Sequence, residues 1–313
     1  MRLNTRHAKA PMGRHTTGSE RGQRHMPGIH ALGSVAIGAV CALLAALPMA
    51  SRAQDAASGY RFSPVNQYGI NLTAGYWNPI ISHVSEKTGV KLTLKIGRTS
   101  ADTTAYVLAE EVEFVFSNHL FSPEREKLGW KVFGRRNTPP IHGQLITTAG
   151  SGVASLAELS GKQVSFAGRE ALIGYKMPHA ALIAQGINVE VVFSGNQDAA
   201  LTQLFNGRVQ ATGGNAQLLA GFAKREGKTY RVLWTSDPVQ DLALMAASKV
   251  PARDVAAVAQ AFTGMLTDPR GRSVLEQASR LVEMPATIGF VKSDGSEYVT
   301  ERRFYQTAPV SLR

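Results

Sequence analysis

Beyond the first fifty or so residues, short runs with strand periodicity alternate with helical segments of about ten residues, and this grammar restricts the fold more than any other feature of the chain. Residues 91–96 (Lys-Leu-Thr-Leu-Lys-Ile) place apolar side chains at every second position, the mark of a strand with one buried face. Further strands are expected at 112–117, 144–148, 163–166, 190–193, 209–212, 231–235 and 242–246. Asn78 reads as an N-cap with Pro79 at the first helical position, Ile80, Ile81 and Val84 on one face and Gly89 as the stop. Helices are also expected at 102–111, in a short turn opened by Ser122 and Pro123 and closed at Gly129, and at 175–185, 197–205, 216–225, 252–266 and 271–279. Ser155 and Glu158 have the spacing of a capping box, in which each side chain satisfies an amide near the other. Strands separated by helices of this length imply βαβ units and mainly parallel sheets. With no repeat, low-complexity tract or long linker, the chain reads as α/β with two lobes and flanking helices, joined by two crossover strands near 144–148 and 242–246. Lobe I is expected to comprise 54–146 and 245–313, and lobe II 147–244.

The leader reads differently. Residues 1–27 are strongly basic, and residues 28–50 are nearly all Ala, Leu, Val, Ile and Gly, which is the order of the charged and apolar regions of a signal peptide. Ser51-Arg52-Ala53 supplies a small-residue cleavage site, so residues 1–53 are expected to leave as a signal peptide and the mature, periplasmic chain to start at Gln54. A single membrane anchor is the alternative, because the apolar stretch approaches the ~20 residues that span a bilayer. Met12 and Met26 are alternative starts. The leader holds seven basic residues against one acid, Glu20, and so carries six of the formal net charge of +11. The modest excess that remains, without a Lys/Arg block, is that of an ordinary soluble surface and argues against nucleic-acid binding. The only cysteine, Cys41, lies inside the apolar region with Val40 before it, where a lipoprotein needs a small residue. The mature chain thus has no disulfide, thiol nucleophile or lipid anchor, and its 260 residues must and can fold on a core alone.

Several segments carry a family likeness in their order and spacing. They are Pro79-Ile80-Ile81 through Thr88-Gly89-Val90, Glu110-Glu111-Val112 through Phe116-Ser117-Asn118, Leu156-Ala157-Glu158 through Val164-Ser165-Phe166, Gly174-Tyr175-Lys176-Met177-Pro178, and Phe193-Ser194-Gly195-Asn196-Gln197-Asp198. In these the chain resembles the phosphate/phosphite/phosphonate-type periplasmic binding proteins over nearly all of its mature length. The resemblance implies the type II periplasmic-binding-protein fold, with a ligand held between two lobes and delivered to an ABC importer. The family usually places a Ser-Thr-Ser cluster before Gly174-Tyr175, at a helix N-terminus where hydroxyls and free amides suit an anion. Here Arg169-Glu170-Ala171-Leu172-Ile173 stands instead, and the family's histidine after Ser-Gly is Asn196. The hydroxyls are missing, and a carboxylate at Glu170 pointing into the cleft would repel a phosphonate, so a neutral or zwitterionic polar solute is expected. The alternative is a solvent-facing Glu170 that simply favours the helix N-terminus.

Open α/β sheets bind ligands past the carboxyl ends of their strands. Ser117, Asn118 and His119 follow one such strand, with a backbone-bonded structural histidine as the alternative for His119. Arg98, Thr99 and Ser100 occupy a strand-to-helix turn for which Asp102 reads as the cap. Asn196 and Gln197 stand at a helix start with amides that both donate and accept, and Asp198 reads as a cap beside them. The resemblance adds Tyr175, Asn215 and Asp241, and Glu170 if it faces inward. Tyr76 and Trp77 read as core packing. The mature histidines, His83, His119, His142 and His179, lack ligand spacing, so neither a metal nor another cofactor is expected. No Gly-x-Ser-x-Gly elbow, Walker loop or Rossmann fingerprint is present. The expected function is that of a monomeric extracytoplasmic binding protein that hands a small polar ligand to an ABC permease. Presentation to a membrane sensor or histidine kinase is the alternative, and an enzyme on the same fold is the weaker one.

Overall fold

A computed structural model describes residues 59–313, so the expected signal peptide and mature start lie outside the described residues. The strands are β1 (Tyr60–Pro64), β2 (Leu92–Leu94), β3 (Phe114–Ser117), β4 (Lys131–Arg136), β5 (Gly143–Thr148), β6 (Gln163–Phe166), β7 (Glu190–Phe193), β8 (Ala211–Asn215), β9 (Tyr230–Thr235), β10 (Ala243–Ala246) and β11 (Phe290–Lys292). They form two sheets, ordered β11-β4-β10-β3-β1-β2 in lobe I and β7-β6-β8-β5-β9 in lobe II. The helices are α1 (Ile70–Thr88), α2 (Asp102–Leu108), α3 (Pro123–Glu126), α4 (Met177–Ala184), α5 (Gln197–Phe205), α6 (Ala216–Arg225), α7 (Ala252–Gly264), α8 (Pro269–Leu281) and α9 (Val299–Thr307). None of the described helices is long and apolar enough to cross a membrane.

The pairing is mixed, not mainly parallel. β1 pairs in parallel with β2 and β3, and β6 with β7 and β8, whereas β5 and β10, which arrive from the other lobe, and the edge strand β11 run against their neighbours. Both expected crossover strands lie wholly within sheets, and the chain crosses just before each of them, at 137–142 and 236–242. The two crossings pair with each other: the Ile141 and Val239 amides each donate to the other's carbonyl at 2.8 Å. Beside this bridge the buried Arg136 guanidinium lies 3.5 Å from Asp241 Oδ2, which also accepts from Thr138 Oγ1 at 3.3 Å. An ion pair thus ties the end of β4 and one crossing to the other crossing.

Helix α1 starts earlier than its sequence signals indicate, and Pro79 sits in its interior instead of at its first position. An internal proline costs about 3 kcal/mol through the lost hydrogen bond and the clash with the carbonyl four residues back. The extra turns bury Tyr76 and Trp77, each worth roughly 1.5–3 kcal/mol, which offsets that cost. Trp77 anchors the lobe I core, with ring centroids 5.0 Å from both Phe62 and Phe116 and 6.0 Å from Phe290. The Ser155/Glu158 pair departs from the capping-box expectation. Glu158 accepts from the Ala154 amide at 2.9 Å and from the Ser155 hydroxyl at 3.2 Å, and only a single 3-10 turn, Ala157–Leu159, follows.

Removing one partner of the Arg136–Asp241 pair leaves an uncompensated buried charge. Asp241→Ala is expected to lower unfolding stability by roughly 3–5 kcal/mol, read as a lower urea midpoint.

Candidate functional site

Between the lobes lies a cavity of about 50 Å³, and both sheets present strand ends to it. From lobe I come the residues after β1 and β3. Asn66 is consumed structurally: its amide donates to Gly97 O at 3.0 Å and its oxygen accepts from Thr73 Oγ1 at 2.8 Å. Gln67 accepts from Arg136 Nη2 at 3.2 Å through Oε1, so its amide hydrogens are left for the cavity it lines. Ser117 Oγ accepts the His119 amide at 3.0 Å, a local turn that brings Asn118 and His119 to the cavity wall. His119 Nδ1 is 3.0 Å from Thr104 Oγ1, and burial drives its pKa down to about 3, so the ring is neutral at any physiological pH. Ser100 Oγ is buried on the wall with no partner among the described residues.

Lobe II supplies the opposite wall. After β6 the chain enters a π-helical turn, Leu172–Lys176, that continues into α4. The amides of Leu172, Ile173 and Gly174 find no acceptor among the described residues, and all three residues line the cavity. Gln197, the first residue of α5, donates from Nε2 to Gly213 O at 3.1 Å and keeps Oε1 free. Its side chain fits because β8 carries Gly213 and Gly214: a Cβ at 214 would fall 2.7 Å from Gln197 Nε2. Asn215 caps α6, accepting the Gln217 amide at 2.9 Å through Oδ1, and its amide nitrogen is left for the cavity.

The lobes touch around this cavity. Arg125 on α3 donates to Glu170 at 2.5 and 3.1 Å, and to His119 O at 2.8 Å. Burial alone would raise the Glu170 carboxyl, but the Arg125 hydrogen bonds and the surrounding positive charges hold it below its ordinary value. The Ser100 amide donates to Gly195 O at 2.7 Å. Leu172 and Ile173 pack with Val107, Phe121, Tyr298 and Tyr305 of lobe I.

Of the candidate residues, the structure brings Ser100, Asn118, His119, Gln197 and Asn215 together on the cavity wall. It puts the others elsewhere. Glu170 neither enters the cleft nor faces solvent, because Arg125 of the opposite lobe holds it. Asp241 serves the crossing and Ser117 its own turn. Arg98 and Thr99 give their amides to Asp102 at 2.6 and 3.0 Å, off the wall. Asn196 is the cap of α5, accepting the Ala199 amide at 2.9 Å, while Asp198 pairs with Arg225 at 3.0 Å instead of capping. Tyr175 packs edge-on against Phe166 and Phe193, with its hydroxyl 3.1 Å from His179 Nδ1. Gln67 and the free amides of 172–174 were not singled out from sequence. Gln67 follows a strand, β1, that carries the same strand-end signal as Asn118.

The neutral His119 generates a pH dependence. Below its ordinary value of 6.5 the unfolded chain binds a proton that the folded state refuses until about 3. Stability is therefore lost as pH falls through this window, by up to about 1.4 kcal/mol per pH unit. His119→Gln should make the decline between about pH 6.5 and 5.5 shallower in urea melts taken at each pH, leaving the share of His179, whose pKa burial also lowers, and of Glu301 and Asp198, whose pKa values burial raises.

Solved structures of similar fold include PhnD1 from Prochlorococcus marinus in complex with methylphosphonate (TM-score 0.67, 12% identity, 79% of this chain and 97% of that one). A binding protein component of an ABC phosphonate transporter from Pseudomonas aeruginosa is similar as well (TM-score 0.68, 15% identity, 79% and 86%). XAC2383 from Xanthomonas citri bound to ATP aligns at TM-score 0.59 (14% identity, 80% and 94%). At these identities the likeness establishes the fold, the two-lobed type II periplasmic-binding architecture. No curated protein matches the chain. The sequence match is what decides membership: residues 71–298 match the family of ABC transporter phosphonate periplasmic substrate-binding proteins, and the chain belongs to that family.

Proposed function

We propose that the interlobe cavity is the substrate site and that the protein captures there a small solute of the phosphonate class for delivery to an ABC importer. The observation that carries this reading is the convergence of unpartnered polar groups from both lobes on one small space. Ser100, Asn118 and Gln67 come from lobe I, and Gln197, Asn215 and the amides of 172–174 from lobe II. A solute that bonds both walls favours the state in which they are together. One ground for expecting phosphonates to be excluded is the charge of Glu170, and Arg125 neutralises it outside the cavity. The lost hydroxyl cluster is answered by donors from other elements, chiefly Ser100, Gln67 and Asn215.

Binding without chemistry also fits the residues present. The histidine on the wall is a very weak base, and among the described residues no serine, cysteine or lysine nucleophile is paired with it. Among the described residues no group of three or more His, Cys, Asp or Glu side chains could hold a metal ion.

The test combines a thermal-shift panel of phosphonates, phosphite, amino acids and organic acids with small-angle scattering at saturation. The best solute should raise the melting temperature by mass action and reduce the radius of gyration. Asn118→Ala and Asn215→Ala should each weaken it about tenfold, the worth of one hydrogen bond of about 1–1.5 kcal/mol. A panel with no stabilising solute, or variants that bind as tightly as the parent, would overturn the assignment.

A further inference from the structure

We infer that the cleft selects the singly protonated, singly charged form of a phosphonate over the dianion, and that Gln197 Oε1 reads the ligand's remaining proton. This rests on the interlobe cavity being the substrate site and goes further, to the charge and hydrogen-bonding pattern of what it accepts.

Among the described residues the wall contains no Lys, Arg, Asp or Glu side chain. The charged groups nearby are matched within the protein: Arg125 with Glu170 at the rim, Arg136 with Asp241 behind Gln67, and Asp198 with Arg225 behind Gln197. Lys176 is buried under the Tyr305 ring, 4.8 Å from its centre. The donors available to an anion are therefore neutral: the side-chain amides of Gln67 and Asn215, the Ser100 hydroxyl, and the backbone amides that open the π-helical turn. Such a set accommodates one negative charge, and a second has no counter-charge to meet.

One group on the wall is fixed as an acceptor. The Gln197 amide nitrogen donates to Gly213 O, and a carbonyl only accepts, so the side chain cannot flip and Oε1 must face the cavity. Gly174 leaves that oxygen uncovered, since a Cβ there would stand 3.3 Å from it. A dianion has three acceptor oxygens and no proton, and it would set one of them against Oε1. The monoanion has a P–O–H that donates to Oε1 and two oxygens that take the N–H and O–H donors.

Methylphosphonate and methanesulfonate separate charge from proton. They share shape, but methanesulfonate is a permanent monoanion without an O–H. Calorimetry from about pH 5.5 to about pH 8.5 spans the second ionisation of the phosphonate. Methylphosphonate is expected to bind best at the acid end and to weaken by about tenfold per pH unit once that ionisation is passed. Methanesulfonate should bind about tenfold more weakly at the acid end, the worth of one hydrogen bond. Titration of the protein itself, by Asp198, Glu170, Lys176, Tyr175 or His119, moves both ligands alike, so the ratio of the two affinities isolates the ligand's proton. Gln197→Met should bring that ratio close to one, and the wild-type series decides the matter even where this buried variant folds poorly.

The inference is overturned by equal affinity for the two anions, by methylphosphonate binding that is flat or tightens with pH, or by no methylphosphonate binding at all. In the last case a different solute that still stabilises and contracts the protein would leave the substrate site intact and remove only this selectivity.

Discussion

The Arg136 guanidinium is the point on which hinge, core and cleft depend together. It is almost fully buried, 4.5 Å over the Phe116 ring and 5.2 Å from that of Tyr76, and it reaches both Asp241 and Gln67. Burial works against its charge, yet the neighbouring acid and phenols raise its pKa further and keep it cationic. The consequence is geometric. One side chain at the end of β4 fixes the second crossing through Asp241 and aims the Gln67 amide into the cavity, so hinge position and wall chemistry are set by the same group. Its Nε atom has no partner among the described residues, which marks this network as satisfied in its charge but not in every hydrogen bond.

The contacts that bring the lobes together are of a different kind. The Arg125–Glu170 pair is about one-fifth exposed on each side, and partly exposed pairs contribute far less than their Coulomb energy. The apolar seam is small, made by Leu172 and Ile173 against lobe I side chains. Capture of a solute between the lobes, as proposed, needs such a balance, because a seam as large as a domain core would hold the lobes shut with or without solute. The solute's own hydrogen bonds to both walls can then decide the equilibrium.

Much of the architecture was legible because βαβ periodicity is a local signal. The strands Gln163–Phe166 and Glu190–Phe193 and the helices Gln197–Phe205 and Ala216–Arg225 fall where their patterns place them. What misled was competition between local and tertiary energies: Asn78-Pro79 has the chemistry of a helix start, but the burial of Tyr76 and Trp77 draws the helix past it. β1 and β4 were missed because charged residues interrupt their apolar pattern, Arg61 in one and Lys131, Arg135 and Arg136 in the other. Within the site, residue types were a poor guide to direction. Asn196, Gln197 and Asp198 are consecutive and all polar, yet one caps, one lines the cavity and one pairs with Arg225. The difference is set by three partners remote in sequence or hidden in the backbone.

Gly213 and Gly214 show what a legible signal for such a site would look like. A central strand gains nothing from two glycines, which weaken it and leave nothing to pack. Here they make room: a Cβ at 213 would lie 2.6 Å from the Phe166 ring, and one at 214 would strike Gln197. The strand thus gives up side chains so that an amide from a neighbouring helix can lie against its backbone and use the Gly213 carbonyl as an anchor. Asn215 follows at once, where the strand becomes the cap of α6. Glycines at the carboxyl end of a buried strand, followed by an amide residue, therefore indicate that something other than the sheet's own side chains is being positioned there, and in this protein it is the acceptor oxygen of the cleft.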